Sequence, residues 1–246
     1  MRTANPALRP EIFTQRGDVS YGTMTVEGTV MKTGLMLLMV LLTAGFTWMK
    51  FFQSGGNPAA VSGWMMLGLF GGFISALVTI FKAEWSGITA PVYALFEGLF
   101  LGGISSVFEA QYPGIVIQAT TLTFGTLAAM LIAYQSGLIR ATEKFKLGVL
   151  AATGGIALVY FTSIILSFFS VSVPFIHGAG AFGIGFSVFV CVIAALNFVI
   201  DFDFIERGAS SGAPKYLEWY GAFALMVTLV WLYIEFLRLL SKLRQR

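Results

Sequence analysis

The stretch "LNFVIDFDFIERG", residues 196–208, ends a long apolar run with two aspartates one residue apart. Read from about residue 181, the run is long enough for a helix to cross a bilayer, which takes ~20 residues. A carboxylate at the centre of such a helix costs roughly 2.5–3.5 kcal/mol on insertion scales. Each aspartate therefore needs a partner, a proton or a place at the interface.

The rest of the chain supports a lipid solvent. Of its 246 residues, 57% are hydrophobic and 11% charged, and the mean hydropathy is +0.83. Soluble domains carry about 25% charged residues. A bilayer gives no partner to open backbone, so only helices or closed barrels span it. A barrel needs segments of ~10 residues with alternating polarity, whereas this chain shows continuous apolar blocks. The formal net charge of +3 is small and scattered, which points away from nucleic acid. The single cysteine, Cys191, excludes an intramolecular disulfide and offers no metal-ligand spacing.

Seven apolar segments predict seven helices, near 34–52, 62–81, 90–108, 115–137, 147–169, 181–202 and 217–240. Turn-forming residues separate them, as in "QSGGNP" (53–58), "QYPG" (111–114) and "RGASSGAPK" (207–215). The break at 170–180 contains Pro174 and the single histidine, His177. The expected organisation is a polar N-terminal tail (1–33), a seven-helix bundle (34–240) and a basic C-terminal tail (241–246). The first apolar block follows about 33 mostly polar residues and is expected to stay as an anchor rather than be cleaved. Gly98, Gly102 and Ser105 or Ser106 recur at small-xxx-small spacing, which predicts close helix packing on the third segment.

Basic residues set the expected orientation. With the N-terminus in the cytoplasm of a cell-membrane protein, the inner segments hold Arg2, Arg9, Arg16, Lys32, Lys82, Arg140, Lys144, Lys146, Arg207 and Lys215. The outer loops then hold only Lys50, but Arg238, Lys242, Arg244 and Arg246 also fall outside if all seven segments cross. Six crossings and one re-entrant hairpin would bring that end back inside. Seven crossings are favoured, because every block is long enough.

The intramembrane acids are the candidate functional residues. Asp201 and Asp203 point to nearly opposite sides of a helix, about 200° apart. Asp203 precedes Arg207 by four residues, the order that favours a local ion pair. Asp201 shares its face with Asn197, Ala194, Cys191 or Val190, and Ser187, a small and polar stripe suited to other helices or a wet path. Glu97, in "APVYALFEGLFLGGIS" (90–105), is expected at a depth similar to Asp201. Glu235 precedes Arg238 by three residues, which predicts another local ion pair.

These residues carry a resemblance. The seven-segment layout, "EGLFLGGIS" (97–105), the acid-tipped sixth segment and "FLRLLSKL" (236–243) resemble the Bax inhibitor-1/YccA-like family. "NPAL" (5–8) and "MTVEGTVMKTG" (24–34) are similar to a bacterial branch with an extended tail. The resemblance implies six helices around a central seventh and a pH-sensitive calcium leak. It also implies an acid near the end of the sixth helix paired with an acid in the seventh, their protonation controlling opening. Asp201 matches the first acid, with Asp203 as the alternative. The second falls near Thr228, and no acid lies between Trp219 and Ile234. Glu97 is the candidate to supply the missing charge.

Two functions follow as expectations. The first is a cation leak, for calcium above all, with Asp201 as a calcium contact, since hard cations take oxygen ligands. The second is a non-conducting membrane scaffold that regulates partner proteins, with the two tails as contact surfaces. No enzyme is expected: a serine hydrolase needs a base beside its nucleophile, and His177 lies in an outer loop far from the serines of "GASSG" (208–212). No cofactor beyond the cation is expected either.

Overall fold

The computed structural model describes residues 22–169 and 178–245; Pro174, His177 and residues 1–21 lie outside the described residues. The chain forms α1 (Val26–Gln53), α2 (Ala59–Phe81), α3 (Ser86–Gln111), α4 (Ile115–Gln135), α5 (Glu143–Phe168), α6 (Ala181–Ser210) and α7 (Leu217–Arg244). A single 3-10 turn, Ala83–Trp85, leads into α3. No β-strand occurs among the described residues, only one isolated bridge between Thr23 and Pro214. All seven helices are long and apolar enough to cross a membrane. The fold is an all-α, seven-helix transmembrane bundle.

Helix ends run past the apolar blocks. α1 begins at Val26 because Thr25 caps it: its hydroxyl accepts the Gly28 N–H at 3.0 Å, one of the donors a helix start leaves unpaired. Part of the stretch expected as tail is thus helical. α6 continues to Ser210, which puts Asp201 and Asp203 inside the helix rather than at its tip. α7 continues to Arg244, so residues 241–244 are helical too. In α6 and α7 the apolar windows bury 61% and 56% of their residues, against 17–22% in α1, α2, α4 and α5. The latter four therefore offer most of their surface to lipid.

The chain divides into two compact units. One holds the described residues up to Pro113, with Asp203–Val227. Here α3 packs against both α1 and α2, and glycine makes the approach close. A Cβ on Gly98 would lie 2.9 Å from Val40 Cα, and one on Gly102 would lie 2.6 Å from Ala44 Cα. From α2, Gly68 meets the Phe100 backbone of α3. The small-residue spacing on α3 thus faces α1.

The same unit contains a buried carboxylate that the sequence pattern did not single out. Glu218, in the first turn of α7, is fully buried. Its Oε1 accepts from Thr25 N (2.9 Å), Thr25 Oγ1 (2.7 Å) and Lys215 Nζ (2.8 Å), while Oε2 pairs with Lys32 Nζ. The carboxylate fills the place a Cβ on Gly28 would take. Met24 N–H donates to Ala213 O at 2.7 Å, and Ser86 Oγ to Tyr216 O at 2.9 Å. The start of α1, the start of α3 and the α6–α7 turn are thereby tied together.

The other unit holds Gly114–Phe202 and the chain from Thr228 onward. It contains α4, α5, most of α6 and the larger part of α7.

The glycine contacts give a direct test. Gly98→Ala should cost about 1–3 kcal/mol through overpacking. Gly125→Ala, on α4 with nothing within 4 Å of its Cβ position, should be neutral or slightly stabilising because alanine favours helix. Thermal unfolding of both variants in detergent checks the contrast.

Candidate functional site

Asp201 is 1% exposed. Its Oδ2 accepts the Thr228 hydroxyl of α7 at 2.6 Å, and Thr228 is buried as well. One turn earlier on α6, Asn197 Nδ2 donates to Thr153 Oγ1 of α5 at 3.0 Å and to Ile193 O at 2.8 Å. The rest of the stripe, Ala194, Cys191, Val190 and Ser187, is buried. Three helices thus place oxygens and an amide in one polar layer. The helical period puts Asp201 and Asn197 on one face, and the neighbours across that face are threonines.

Next to this layer the same helices turn apolar. Ile156 of α5 and Val190 and Ile193 of α6 form a buried cluster, with Ala152, Tyr160, Phe186, Leu196 and Trp231 packed around it. Beyond it comes a second polar layer. Glu235 is 1% exposed; its Oε2 accepts from Tyr160 OH at 2.9 Å and from Arg238 Nη1 at 3.4 Å. Further along α7, buried Lys242 donates to Gly183 O at 3.0 Å and Ser187 Oγ at 2.8 Å. On each helix the order is the same: Thr153, Ile156, Tyr160 on α5; Asn197, Ile193, Ser187 on α6; Thr228, Trp231, Glu235 on α7. The unit is a polar–apolar–polar stack.

The remaining candidates take separate places. Asp203 pairs with Arg207 at 2.9 Å, and the arginine is half exposed. Glu97 is half-buried on α3, hydrogen-bonded to Tyr93 one turn earlier. Its Oε2 lies 3.2 Å from where a Cβ on Gly72 of α2 would stand. Glu97 belongs to the first unit and Asp201 to the second. Among the described residues, no group of three or more His, Cys, Asp or Glu side chains is placed to hold a metal ion.

With this geometry in place, the family model for Bax inhibitor 1 like proteins matches residues 5–245, nearly the whole chain. The chain belongs to the Bax inhibitor 1 like family. Neither the curated proteins nor the solved structures compared with it gave a match. Family membership and seven spans together make it a multi-pass membrane protein. Within this Bax inhibitor 1 like chain, Thr228 stands where the sequence resemblance implied a second acid, and a hydroxyl faces Asp201.

Four participants escaped the sequence reading: Thr153, Tyr160, Glu218 and Lys242. Lys242 had been assigned to a basic tail. Its spacing was nevertheless informative, because Glu235, Arg238 and Lys242 fall at i, i+3 and i+7, on one helix face. Thr153 and Tyr160 repeat at i and i+7 in the same way.

The Asp201–Thr228 contact should appear as a coupling energy. A double-mutant cycle of Asp201→Asn with Thr228→Val should give about 1 kcal/mol, within the range of interhelical hydrogen bonds in membranes. Unfolding free energies of the four proteins in detergent micelles measure it, and strict additivity would mean the contact contributes nothing.

Proposed function

We propose that this protein is a non-enzymatic, pH-modulated cation leak of the cell membrane, with its N-terminus in the cytoplasm, calcium as the favoured ion and Asp201 as the proton-responsive group. The observation that carries this reading is a carboxylate 1% exposed, held across two helices by one neutral hydroxyl. An ionised carboxylate accepts that hydroxyl, whereas a protonated one can also donate. A proton at Asp201 therefore changes the contact between α6 and α7. The oxygens of Asp201, Thr228 and Thr153 are the hard donors that calcium takes.

The apolar cluster supplies the closed state. Ile156, Val190 and Ile193 are dry neighbours of the polar layer, and hydrophobic constrictions stop ions by excluding water. Opening then requires α5, α6 and α7 to part at this level. Glu97 serves as a second ion-responsive acid in its own unit, where its carboxylate faces the small residue Gly72. No cofactor beyond the transported cation enters the scheme.

The test is calcium flux in proteoliposomes across acidic to neutral pH. Wild type should leak in a pH-dependent way, and Asp201→Asn, locked without a titrating oxygen, should lose that dependence. Glu97→Gln should change the rate while leaving the response to pH. A folded wild type that passes no calcium at any pH would leave the scaffold function, in which the chain's ends capture a protein partner.

A further inference from the structure

Three elements converge on Gly221 of α7. A Cβ there would lie 3.1 Å from Ile205 Cγ1 of α6, 3.2 Å from Thr29 Cγ2 of α1 and 3.5 Å from Met24 Cε, just before α1. Met24 is 2% exposed, and Thr29 and Ile205 are buried as well. The missing side chain at 221 lets α6 come close to α7, and Met24 and Thr29 pack against the same spot. Packing this dense registers a change of even one methylene.

Polar bonds pin the same segment to the α6–α7 turn. Thr23 bridges to Pro214, and Met24 N–H donates to Ala213 O at 2.7 Å. Thr25 and Lys32 both bond the Glu218 carboxylate, and Lys32 Nζ also lies 5.6 Å from the centre of the Trp219 ring. The buried methionine is therefore flanked on both sides by residues that hold the turn.

We propose that residues 23–32 clamp α6 against α7, with Met24 and Glu218 as positioning residues for the Asp201–Thr228 hydrogen bond. Ile205 follows Asp201 by four residues on α6, and Gly221 precedes Thr228 by seven on α7. Both spacings return to one helix face, and neither helix breaks in between. The separation set at Ile205 and Gly221 is thereby carried to Asp201 one turn away and to Thr228 two turns away. At 2.6 Å their hydrogen bond is sensitive to that separation, since lengthening by ~1 Å abolishes it. The consequence for flux rests on the leak reading above, whereas the positioning itself does not.

The experiment repeats the Asp201→Asn, Thr228→Val cycle of unfolding free energies in full-length Met24→Ala, which removes most of the buried side chain. The coupling between Asp201 and Thr228 should be lost there and kept in Met24→Leu, which conserves volume. It should also be kept in Gly98→Ala, which disturbs the packing of α3 on α1 instead. Coupling that persists in Met24→Ala, that vanishes equally in Gly98→Ala, or that is absent from wild type overturns the proposal. In proteoliposomes Met24→Ala should leak calcium about fivefold faster than wild type, the lower end of coupling between linked sites, and an unchanged rate beside a conducting wild type overturns the clamp while leaving the leak standing. The predicted coupling pattern with no flux in any protein supports the clamp and counts against the leak. Should Met24→Ala fail to fold, Lys215→Gln, at a half-exposed lysine that bonds Glu218, should weaken the same coupling; undiminished coupling there overturns the proposal.

Discussion

Inside a bilayer no water remains to satisfy a polar group, so each must find its partner within the protein. That constraint accounts for most of what distinguishes this bundle from a stack of greasy helices. Thr29, Thr33, Thr43 and Thr47 turn their hydroxyls back to carbonyls of their own helix, so α1 carries threonines without needing a neighbour. Asn197, Asp201, Glu235 and Lys242 cannot be satisfied locally to the same degree. Each reaches a second helix, and these reaches specify which faces of α5, α6 and α7 meet.

Two enclosed acids, Glu218 of the first unit and Asp201 of the second, handle charge in contrasting ways. Glu218 gathers two lysines, a hydroxyl and a backbone N–H. Removing one side of such a buried pair costs about 3–5 kcal/mol, so this carboxylate is a fixed fastening. Asp201 has one neutral donor, and no cation pairs with it among the described residues. The two carboxylates thus differ in the number and charge of their donors, not in burial.

How much of this was legible depended on periodicity. The spans were plain because hydropathy is summed over ~20 residues. The face of α3 was plain because Gly98 and Gly102 repeat at helical spacing, and both meet α1. The separation of Asp201 from Asp203 followed from helix geometry alone: one is buried against Thr228 and the other pairs with Arg207. What stayed hidden were charges at helix ends. Glu218 and Lys242 lie where hydropathy falls, and a window that averages reads them as water-facing. Their burial is decided by residues far away in sequence, Thr25 and Lys32 for Glu218, Gly183 and Ser187 for Lys242. No local pattern carries that information.

The threonine at 228 also bears on what kind of proton response the proposed leak can have. Two carboxylates sharing a buried site titrate as a pair, in two steps that belong to neither residue alone. The resemblance implied such a pair, but here the partner of Asp201 is a hydroxyl that does not titrate in any ordinary range. Glu97 and Glu235 are held by their own neighbours, Tyr93 in one case and Tyr160 with Arg238 in the other. Control at this contact would therefore rest on a single proton at a single atom pair. One proton gives a shallow response to pH, and the apolar cluster of Ile156, Val190 and Ile193 then has to supply the sharpness of closing.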